Sequence, residues 1–456
     1  MRRTPAEHIV EFLSYSTDAS GRALEFGKFS RRQWESTFKW LDFSGLAFYF
    51  LQKLKDTNTL DTIPAWWASR LQQNFEANQQ RVGYMTERFA CLNQKFDDAG
   101  VRYAVLKGLS LVPQFCDDPL LRYQGDFDYL VDDRSVMTAR QILVEAGYRA
   151  KWSSSSQEFI FVLKEMDERS RSVDQYYAQT LHAVELHLNI WDSDLDGAPL
   201  IPKLFFVGRG TSHHFNDLAF PALADEDAFL LQVLHTCHHV FSHWVRMSCL
   251  FEIGHFLTGR GSDVELWNRI EQRVGESLVL REFVVIVTEL AANLFAVPIP
   301  QLVRDWGSRI RPGPRIWVDH YARLWAFGEM PIHHFSGFPR GKLVGFLRQQ
   351  YRDAAPAQLS SGQRALPPSR LSRVASSFRK KPWLVLDVAW WRRYRLIESG
   401  LFHVLARLRY ICEIPRWCWL NRAKKRSAAQ DFSQLDSLDH RLPLIPDGKS
   451  GSSRVA

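Results

Sequence analysis

Residues 125–131 have the sequence Gly-Asp-Phe-Asp-Tyr-Leu-Val, a hydrophobic run that contains two aspartates separated by one residue. Aromatic and β-branched residues favour strands, and side chains alternate between the two faces of a strand. Asp126 and Asp128 are therefore expected on one face, opposite Phe127 and Tyr129. Adjacent carboxylates repel each other unless a positive charge lies between them, and a hard divalent cation is the usual solution. The stretch predicts a site for Mg²⁺ (or Mn²⁺).

The surroundings of this pair favour a metal site over the turns and helix caps in which Asp-x-Asp also occurs. Residues 103–106, Tyr-Ala-Val-Leu, predict a strand that leads into Lys107-Gly108 and then a helix. Asp126 follows Gly108 by 18 positions (126 − 108), enough for one helix and a return loop. A further helix is predicted from Ser135 to Ala146, with Gly147 as its C-terminal stop.

Together these motifs resemble the uncharacterised nucleotidyltransferase family of bacteria, within the DNA polymerase beta-like superfamily. The resemblance covers roughly residues 30–260, and it rests on Leu106-Lys107-Gly108, Arg122, Gly125–Val131, Ala146-Gly147-Tyr148, Val184-Glu185-Leu186-His187 and the helical segment that begins with Asp225-Glu226-Asp227 and contains His235 and His239. It implies an α+β fold, in which a small mixed β-sheet is flanked by helical N-terminal and C-terminal regions. It also implies metal-dependent transfer of a nucleoside monophosphate from an NTP, with ATP preferred, to an acceptor hydroxyl.

The residues around Gly108 form the predicted nucleotide-binding site. A glycine at a helix N-terminus lets backbone N–H groups approach the phosphates, and Lys107 and Arg122 supply positive charge. The wider superfamily has Gly-Ser or Gly-Gly here, whereas this sequence has Gly108-Leu109-Ser110, which leaves open which atoms hold the triphosphate. Two alternatives stand beside this interpretation: Lys107 as a solvated lysine at a strand end, and Arg122 as a neutralising partner of the aspartates.

Two-metal nucleotidyl transfer uses a third carboxylate, for which Glu158, Glu165 and Glu185 are the candidates. Glu158 and Glu165 flank a hydrophobic run and are expected in turns at the margin of the sheet. Glu185 lies within 183–190, where apolar residues alternate with Glu185, His187 and Asn189. The family resemblance, through Glu185-Leu186-His187, implies that Glu185 lies beside the aspartates as a metal ligand or base, with His187 in support. We expect Glu185 about 4–6 Å from Asp126 or Asp128. The alternative is an ordinary solvated face of the sheet.

Like-charge repulsion at the pair has a consequence for stability. Asn at position 126 or 128 removes one anionic ligand at nearly constant volume, so we expect loss of transfer with the fold retained. Relief of the repulsion predicts that metal-free stability rises for both substitutions.

The composition and the absence of other known motifs argue against several alternative classes of protein. The 456 residues carry a net charge of +8, and the six cysteines show no CxxC spacing, which argues against a zinc ribbon and for a reducing compartment. The N-terminus has no apolar signal region, so a cytoplasmic location is expected. Neither a P-loop motif nor a Gly-x-Ser-x-Gly elbow occurs. The apolar window 283–299 contains Glu289 and predicts a buried helix rather than a membrane span.

The pattern along the chain predicts six regions. They are a helical N-terminal region at 1–100, the nucleotidyltransferase core at 101–222, a helical lobe at 223–353, a linker at 354–370, a basic aromatic helical segment at 371–433 and a disordered tail at 434–456. Strands are expected from Val101 and at Asp126–Val131, Tyr148–Lys151, Glu158–Leu163 and Ala183–Ile190.

Residues 379–426 combine tryptophans with dense Lys and Arg. Three interpretations remain, ranked in this order: docking on the protein's own core or a partner, peripheral contact with an anionic membrane at its inner face, and nucleic-acid binding.

Histidines 235, 239 and 243 lie on one stripe of a predicted helix. Three imidazoles at this spacing extend over about 12 Å, too far for one ion to bind all three. A pair could bind zinc together with His187 or His255, or the histidines could line the seam between the helical lobe and the sheet.

The acceptor cannot be identified from the sequence, and a sugar, a small molecule and a protein are all compatible. The family resemblance implies surface-polysaccharide or secondary-metabolite biosynthesis as settings. The alternative function is a non-catalytic nucleotide-binding or scaffold protein of a cell-envelope assembly, which the altered Gly108-Leu109-Ser110 sequence favours slightly.

Overall fold

The structure of the protein is a computed structural model. It describes residues 4–15, 19–151, 158–163, 182–191, 207–242, 246–327, 341–352 and 408–424, together with 176, 201 and 205. The predicted linker at 354–370 and the predicted tail at 434–456 lie outside the described residues, as does most of 371–433.

Seven strands form the sheet: β1 (Tyr103–Val105), β2 (Asp126–Val131), β3 (Tyr148–Lys151), β4 (Glu158–Leu163), β5 (Ala183–His187), β6 (Thr211–Phe215) and β7 (Leu218–Ala222). Their order is β3-β4-β5-β2-β1-β7-β6. The pairs β2–β5 and β1–β7 are parallel and the other four are antiparallel, so the sheet is mixed. Strand β2, which carries the aspartates, is therefore central, between β5 and β1.

Helices precede and follow the sheet. The N-terminal helices are α1 (Pro5–Leu13), α2 (Ala19–Ala23), α3 (Arg31–Ser44), α4 (Ala47–Asp56) and α5 (Ala65–Asp98), and α6 (Val136–Glu145) lies between β2 and β3. The later helices are α7 (Asp225–Ser242), α8 (Met247–Arg260), α9 (Val264–Val274), α10 (Leu278–Phe295), α11 (Gln301–Gly307), α12 (Pro312–His320), α13 (Ala322–Phe327) and α14 (Gly341–Arg352). Residues 408–424 form a helix that we call the C-terminal helix. The predicted α+β class, with a mixed sheet and helical flanks, is confirmed.

Alternation along β2 divides its side chains between two cores. Phe127, Tyr129 and Val131 pack in one hydrophobic cluster with Phe89 of α5 and other residues of α5 and α6. Leu130 points the other way, into the larger cluster formed mainly by helices of the N-terminal region and of the α7–α10 lobe. Both faces of the sheet are thus covered, and the aspartates lie on the face that the helical lobe covers.

The segment after Gly108 differs from the prediction. The expected helix is absent, and residues Gly108–Leu111 form a single turn of 3-10 helix, with a second such turn at Pro119–Leu121. Pro113 explains the difference, because proline lacks an N–H group and disfavours helical backbone at the residue before it. The expectation that Gly108 begins a phosphate-binding helix is therefore wrong.

The β6–β7 hairpin was not predicted. Its turn contains Asn216, whose φ is +49°, next to Asp217. Asn-Asp between alternating residues is a recognised signal for a two-residue hairpin turn, but two histidines and a proline in the flanking strands obscure it.

None of the described helices combines the length with the apolar character that crossing a membrane requires. Helix α10, which covers most of the apolar window 283–299, has consecutive buried residues from Glu282 to Thr288 and is therefore buried around its circumference.

A pair of glycine substitutions tests the turn after β1. Gly108 has a φ of +71°, and a Cβ there would lie 2.3 Å from Nε2 of Gln124, which donates a hydrogen bond to the Asp126 carbonyl. We expect Gly108→Ala to lower the free energy of unfolding by about 1–3 kcal/mol, because both the backbone and Gln124 are strained. Gly83→Ala is the control, since nothing lies within 4 Å of its added Cβ.

In the middle of α5, Gly83→Ala should stabilise the protein by about 0.5–1 kcal/mol. Chemical denaturation of both variants measures the difference. Equal effects of the two substitutions would contradict the described geometry at Gly108.

Candidate active site

The site is built where β2 and β5 pair in parallel. In this register Asp128 is the direct partner of Glu185, and Asp126 and His187 lie two residues away on the two strands. Residues two apart on a strand share a face, so all four side chains project from the same side of the sheet. The apolar partners Val184 and Leu186 are buried in the opposite cluster. The local alternation of the sequence therefore creates the site.

Asp128 is the centre of the polar contacts. Its Oδ1 accepts a hydrogen bond from Nζ of Lys107 at 2.9 Å and lies 3.1 Å from Nε2 of His187. Oδ2 of Asp128 is buried and has no hydrogen-bond partner among the residues that the structure describes. The Lys107 side chain is only 20% exposed. The alternative that Lys107 is a solvated lysine is therefore wrong.

Glu185 lies beside this centre. One ligand atom each from Asp128, Glu185 and His187 falls within 4.8 Å of the other two, and Oε2 of Glu185 is 3.7 Å from Nε2 of His187. The Glu185 side chain is 20% exposed. The face is therefore not an ordinary solvated surface, and the predicted approach of Glu185 to the aspartates is present in the structure.

Charge and burial set the pKa values of the three carboxyls in different directions. Burial raises the pKa of Asp128, but Lys107 and His187 outweigh burial and hold it well below its usual range. Burial and the Asp128 charge raise the pKa of Asp126. Burial, together with Asp128 and Asp126, raises the pKa of Glu185 to about 9. Without a cation, the site therefore favours an ionised Asp128 and a protonated Glu185.

This donor set fits a hard divalent cation. Such ions take carboxylate oxygens as ligands, and the buried Oδ2 of Asp128 offers one that no described group uses. A cation would also relieve the repulsion that raises the pKa of Asp126 and Glu185. Asp128, Glu185 and His187 are the residues whose ligand atoms lie close enough together to hold it.

Helix α5 positions the loop that leads into β2. Asn78 donates to the carbonyls of Leu120 and Arg122, and Nε of the buried Arg81 donates to the carbonyl of Gln124. These polar side chains occur at helical spacing on a mainly apolar face, a pattern that is visible in the sequence. They fix the backbone immediately before Asp126.

Arg122 and Ser110 have contacts of their own. Nε of Arg122 lies 2.8 Å from Oε1 of Glu252 on α8, and the Tyr49 hydroxyl donates to the same oxygen at 3.0 Å. The Ser110 hydroxyl donates to the Lys107 carbonyl at 3.3 Å. These contacts hold the two residues in place, and their predicted roles in nucleotide binding stay predictions.

Two further residues, Arg246 and Glu158, lie near the site, and only Glu158 was among the predicted candidates. Arg246, at the start of α8, is close enough to Asp126 to lower its pKa against the larger effect of burial. Glu158 lies in β4 opposite His187, with its Oε1 3.7 Å from Nδ1 of His187. The expectation that Glu158 occupies a turn is wrong, because the strand begins at this residue. Glu165 lies outside the described residues.

A comparison with known protein families identifies the family of this chain. A sequence profile of the uncharacterised nucleotidyltransferase family matches residues 30–296, more than half of the chain. The chain therefore belongs to this family and is a nucleotidyltransferase. No curated protein matches it.

The different environments of the two aspartates predict opposite effects on metal-free stability. Asp126→Asn should raise the free energy of unfolding at pH 7, because it removes a carboxylate that burial and Asp128 disfavour. Asp128→Asn should lower it by about 3–5 kcal/mol, because Lys107 loses its buried partner. The latter corrects the expectation that Asn is stabilising at both positions. Denaturation in a chelator measures both effects, and an Asp128→Asn variant as stable as the unsubstituted protein would refute this account of Asp128.

The raised pKa of Glu185 predicts a dependence of stability on pH. The folded value of about 9 exceeds the reference value of 4.5, so the contribution is fully present below pH 4.5 and is lost as pH rises through 9. In a chelator, the unsubstituted protein should lose stability relative to Glu185→Gln steadily over this window, because Gln stays neutral at every pH. Glu145→Gln, an exposed substitution at the end of α6, is the control and should show no such trend. A constant difference for Glu185→Gln would exclude the raised pKa.

Proposed function

We propose that this nucleotidyltransferase is metal-dependent and moves a nucleoside monophosphate from an NTP, with ATP preferred, to an acceptor hydroxyl. The observation that carries the proposal is the in-register pair of Asp128 and Glu185 beside Asp126, with a buried carboxylate oxygen at its centre. Mg²⁺ or Mn²⁺ is the cation that such oxygen ligands prefer.

The reaction is an in-line displacement at the α-phosphorus, in which the acceptor oxygen forms the new P–O bond and pyrophosphate leaves. A bound divalent cation supplies positive charge at the phosphate oxygens and lowers the pKa of the attacking hydroxyl. In the proposal Asp126, Asp128 and Glu185 hold the cation. Because Glu185 is protonated without a cation, ionisation of Glu185 and metal binding are coupled.

Lys107 has the charge and position for a second role. Its ammonium group contacts Asp128 at 2.9 Å and is therefore at the predicted metal site. We assign Lys107, with the backbone around Gly108 and Ser110, to the triphosphate. His187 orients Asp128 through its contact at 3.1 Å. Arg122, whose charge Glu252 balances, holds the loop before β2 in this proposal.

A second candidate function is nucleotide binding without turnover, as part of a scaffold. One observation favours it: the segment after Gly108 is a four-residue 3-10 turn rather than a helix whose N-terminus faces the phosphates. The presence of both Asp126 and Asp128 favours an active enzyme. We propose surface-polysaccharide or secondary-metabolite biosynthesis as the pathway in which the acceptor occurs, and the labelling experiment below identifies the acceptor.

Labelled nucleotides distinguish the two candidates. With cell extract as the source of acceptor, label at the α-phosphate of ATP should pass to an acceptor, whereas label at the γ-phosphate should leave as pyrophosphate. We expect Asp126→Asn and Asp128→Asn to reduce transfer about a thousandfold, since each removes several kcal/mol of charge stabilisation. Asp133→Asn, an exposed substitution just beyond β2, is the matched control and should transfer normally.

Nucleotide binding without transfer of the α-label, to any acceptor in extract or with any of the four NTPs, would favour the scaffold. Full transfer by both Asp variants would remove these residues from the reaction.

We also propose that the C-terminal helix contacts an anionic membrane at its inner face. One side of the helix docks on the protein: Trp417 stacks on Phe346 of α14 at 4.7 Å, and Lys424 pairs with Asp319 at 2.9 Å. The other side exposes Leu408 (51%), Ile411 (57%) and Trp419 (67%). Arg409, Arg416 and Arg422 lie among these apolar residues. Apolar residues flanked by basic ones suit an anionic interface.

Vesicle binding tests this contact. The protein should bind vesicles that contain phosphatidylglycerol, and binding should weaken with added salt and on vesicles of phosphatidylcholine alone. The double substitution Ile411→Ser and Trp419→Ser should reduce binding at least tenfold, while Trp66→Ser, which alters a partly exposed tryptophan in α5, should not. Unchanged binding by the double variant would rule out this surface.

A further inference from the structure

A second cluster of metal-ligating side chains lies in the helical lobe. Nε2 of His239 is 3.0 Å from Nε2 of His235, and Sγ of Cys249 is 3.8 Å from Nδ1 of His235. One ligand atom from each of the three residues lies within 4.8 Å of the other two. His239 and Cys249 are buried, and His235 is partly buried.

Two helices form this cluster. His235 and His239 are one turn apart on α7, so both imidazoles project from one face of the helix. Cys249 is the third residue of α8, which packs against α7. Burial raises the pKa of the Cys249 thiol to about 11, so without a metal the residue is a neutral thiol.

We propose that His235, His239 and Cys249 bind one zinc ion, in a site that is separate from the carboxylate site. Two imidazoles and one thiolate are the ligands of a borderline-soft ion, whereas Mg²⁺ and Mn²⁺ prefer oxygen. In a tetrahedral zinc site, with bonds of about 2.0–2.3 Å, the ligand atoms lie about 3.3–3.6 Å apart. The two short contacts use different nitrogens of His235, Nε2 toward His239 and Nδ1 toward Cys249, so the His235 ring binds the ion through one of them. One ligand atom from each of the three residues lies within 4.8 Å of the other two, close to this geometry.

Three ligands from the described part of the chain leave the fourth tetrahedral position for another group. This arrangement is typical of zinc that holds a water molecule or a substrate group, whereas purely structural sites have four protein ligands. The predicted zinc partners of the histidine pair are engaged elsewhere, since His187 contacts Asp128 and His255 lies 3.6 Å from Asp117. Cys249 takes their place as the third ligand.

Positive charges near the cluster do not prevent metal binding. Lys107 and Arg246 are close enough to interact electrostatically with His235. Each also has a carboxylate nearby, because Lys107 donates to Asp128 and Arg246 interacts with Asp126. The thiolate of Cys249 cancels one charge of the ion, and the thiol proton is released to solvent when zinc binds.

Cobalt(II) substitution tests the proposal on the unsubstituted full-length protein, because Co²⁺ occupies zinc sites and absorbs light. One equivalent of Co²⁺ should produce a thiolate-to-metal charge-transfer band in the near ultraviolet and the visible bands of tetrahedral cobalt. Added Zn²⁺ should abolish both. The absence of a charge-transfer band would overturn the proposal and leave His235 and His239 as a hydrogen-bonded pair.

Three variants locate the ion. Cys249→Ser should lose the charge-transfer band, and Asp128→Asn should keep it, which separates this ion from the carboxylate site. Cys237→Ser is the matched control, because Cys237 is equally buried and lies between the two histidines in sequence without belonging to the cluster. Circular dichroism checks that each variant is folded. A band that survives in folded Cys249→Ser would also overturn the proposal, and if this variant does not fold, the spectrum of the unsubstituted protein decides.

Discussion

The parallel pairing of β2 with β5 is the constraint on which the rest of the structure depends. It places Asp128 directly beside Glu185 on a largely buried face of the sheet, where like charges repel strongly. A register shift of one residue would turn every carboxylate into the apolar cluster under α5, so the alternation in both strands specifies the register. The protein tolerates the carboxylates because Lys107 and His187 compensate Asp128.

The surrounding helices hold this arrangement from two sides. Beneath the sheet, α5 supplies the apolar residues that pack on Phe127 and Tyr129, and its polar residues Asn78 and Arg81 hold the loop before β2. Above the sheet, Glu252 of α8 pairs with Arg122 of the same loop. The loop is thus tied to both layers, and the position of Asp126 depends on contacts with helices that are distant in sequence.

The sequence was informative where a local pattern determines geometry. Period-two alternation in 126–131 and 183–190 predicted both strands and the polar face of each. The family resemblance was needed to predict the approach of Glu185 to the aspartates. The sequence did not predict contacts that depend on the packing of distant segments. The partner of Arg122 is 130 residues away, and nothing local identifies Glu252. The helix that was expected after Gly108 is interrupted by Pro113, whose effect on the preceding backbone is local. The contact between Cys249 and His235 depends on how α7 packs against α8. The spacing of residues in the sequence does not predict this packing.

The central claim is that the carboxylate site binds a divalent cation only as Glu185 gives up its proton. The direct test is to add Mn²⁺ to the nucleotide-free protein in weak buffer at pH 8 and to count the protons released for each ion bound. This pH lies below the pKa of about 9 for Glu185, so the account predicts close to one proton per ion for the unsubstituted protein. The Glu185→Gln variant should release none from this site. Tight binding of Mn²⁺ without proton release, or equal release by the Glu185→Gln variant, would contradict the account.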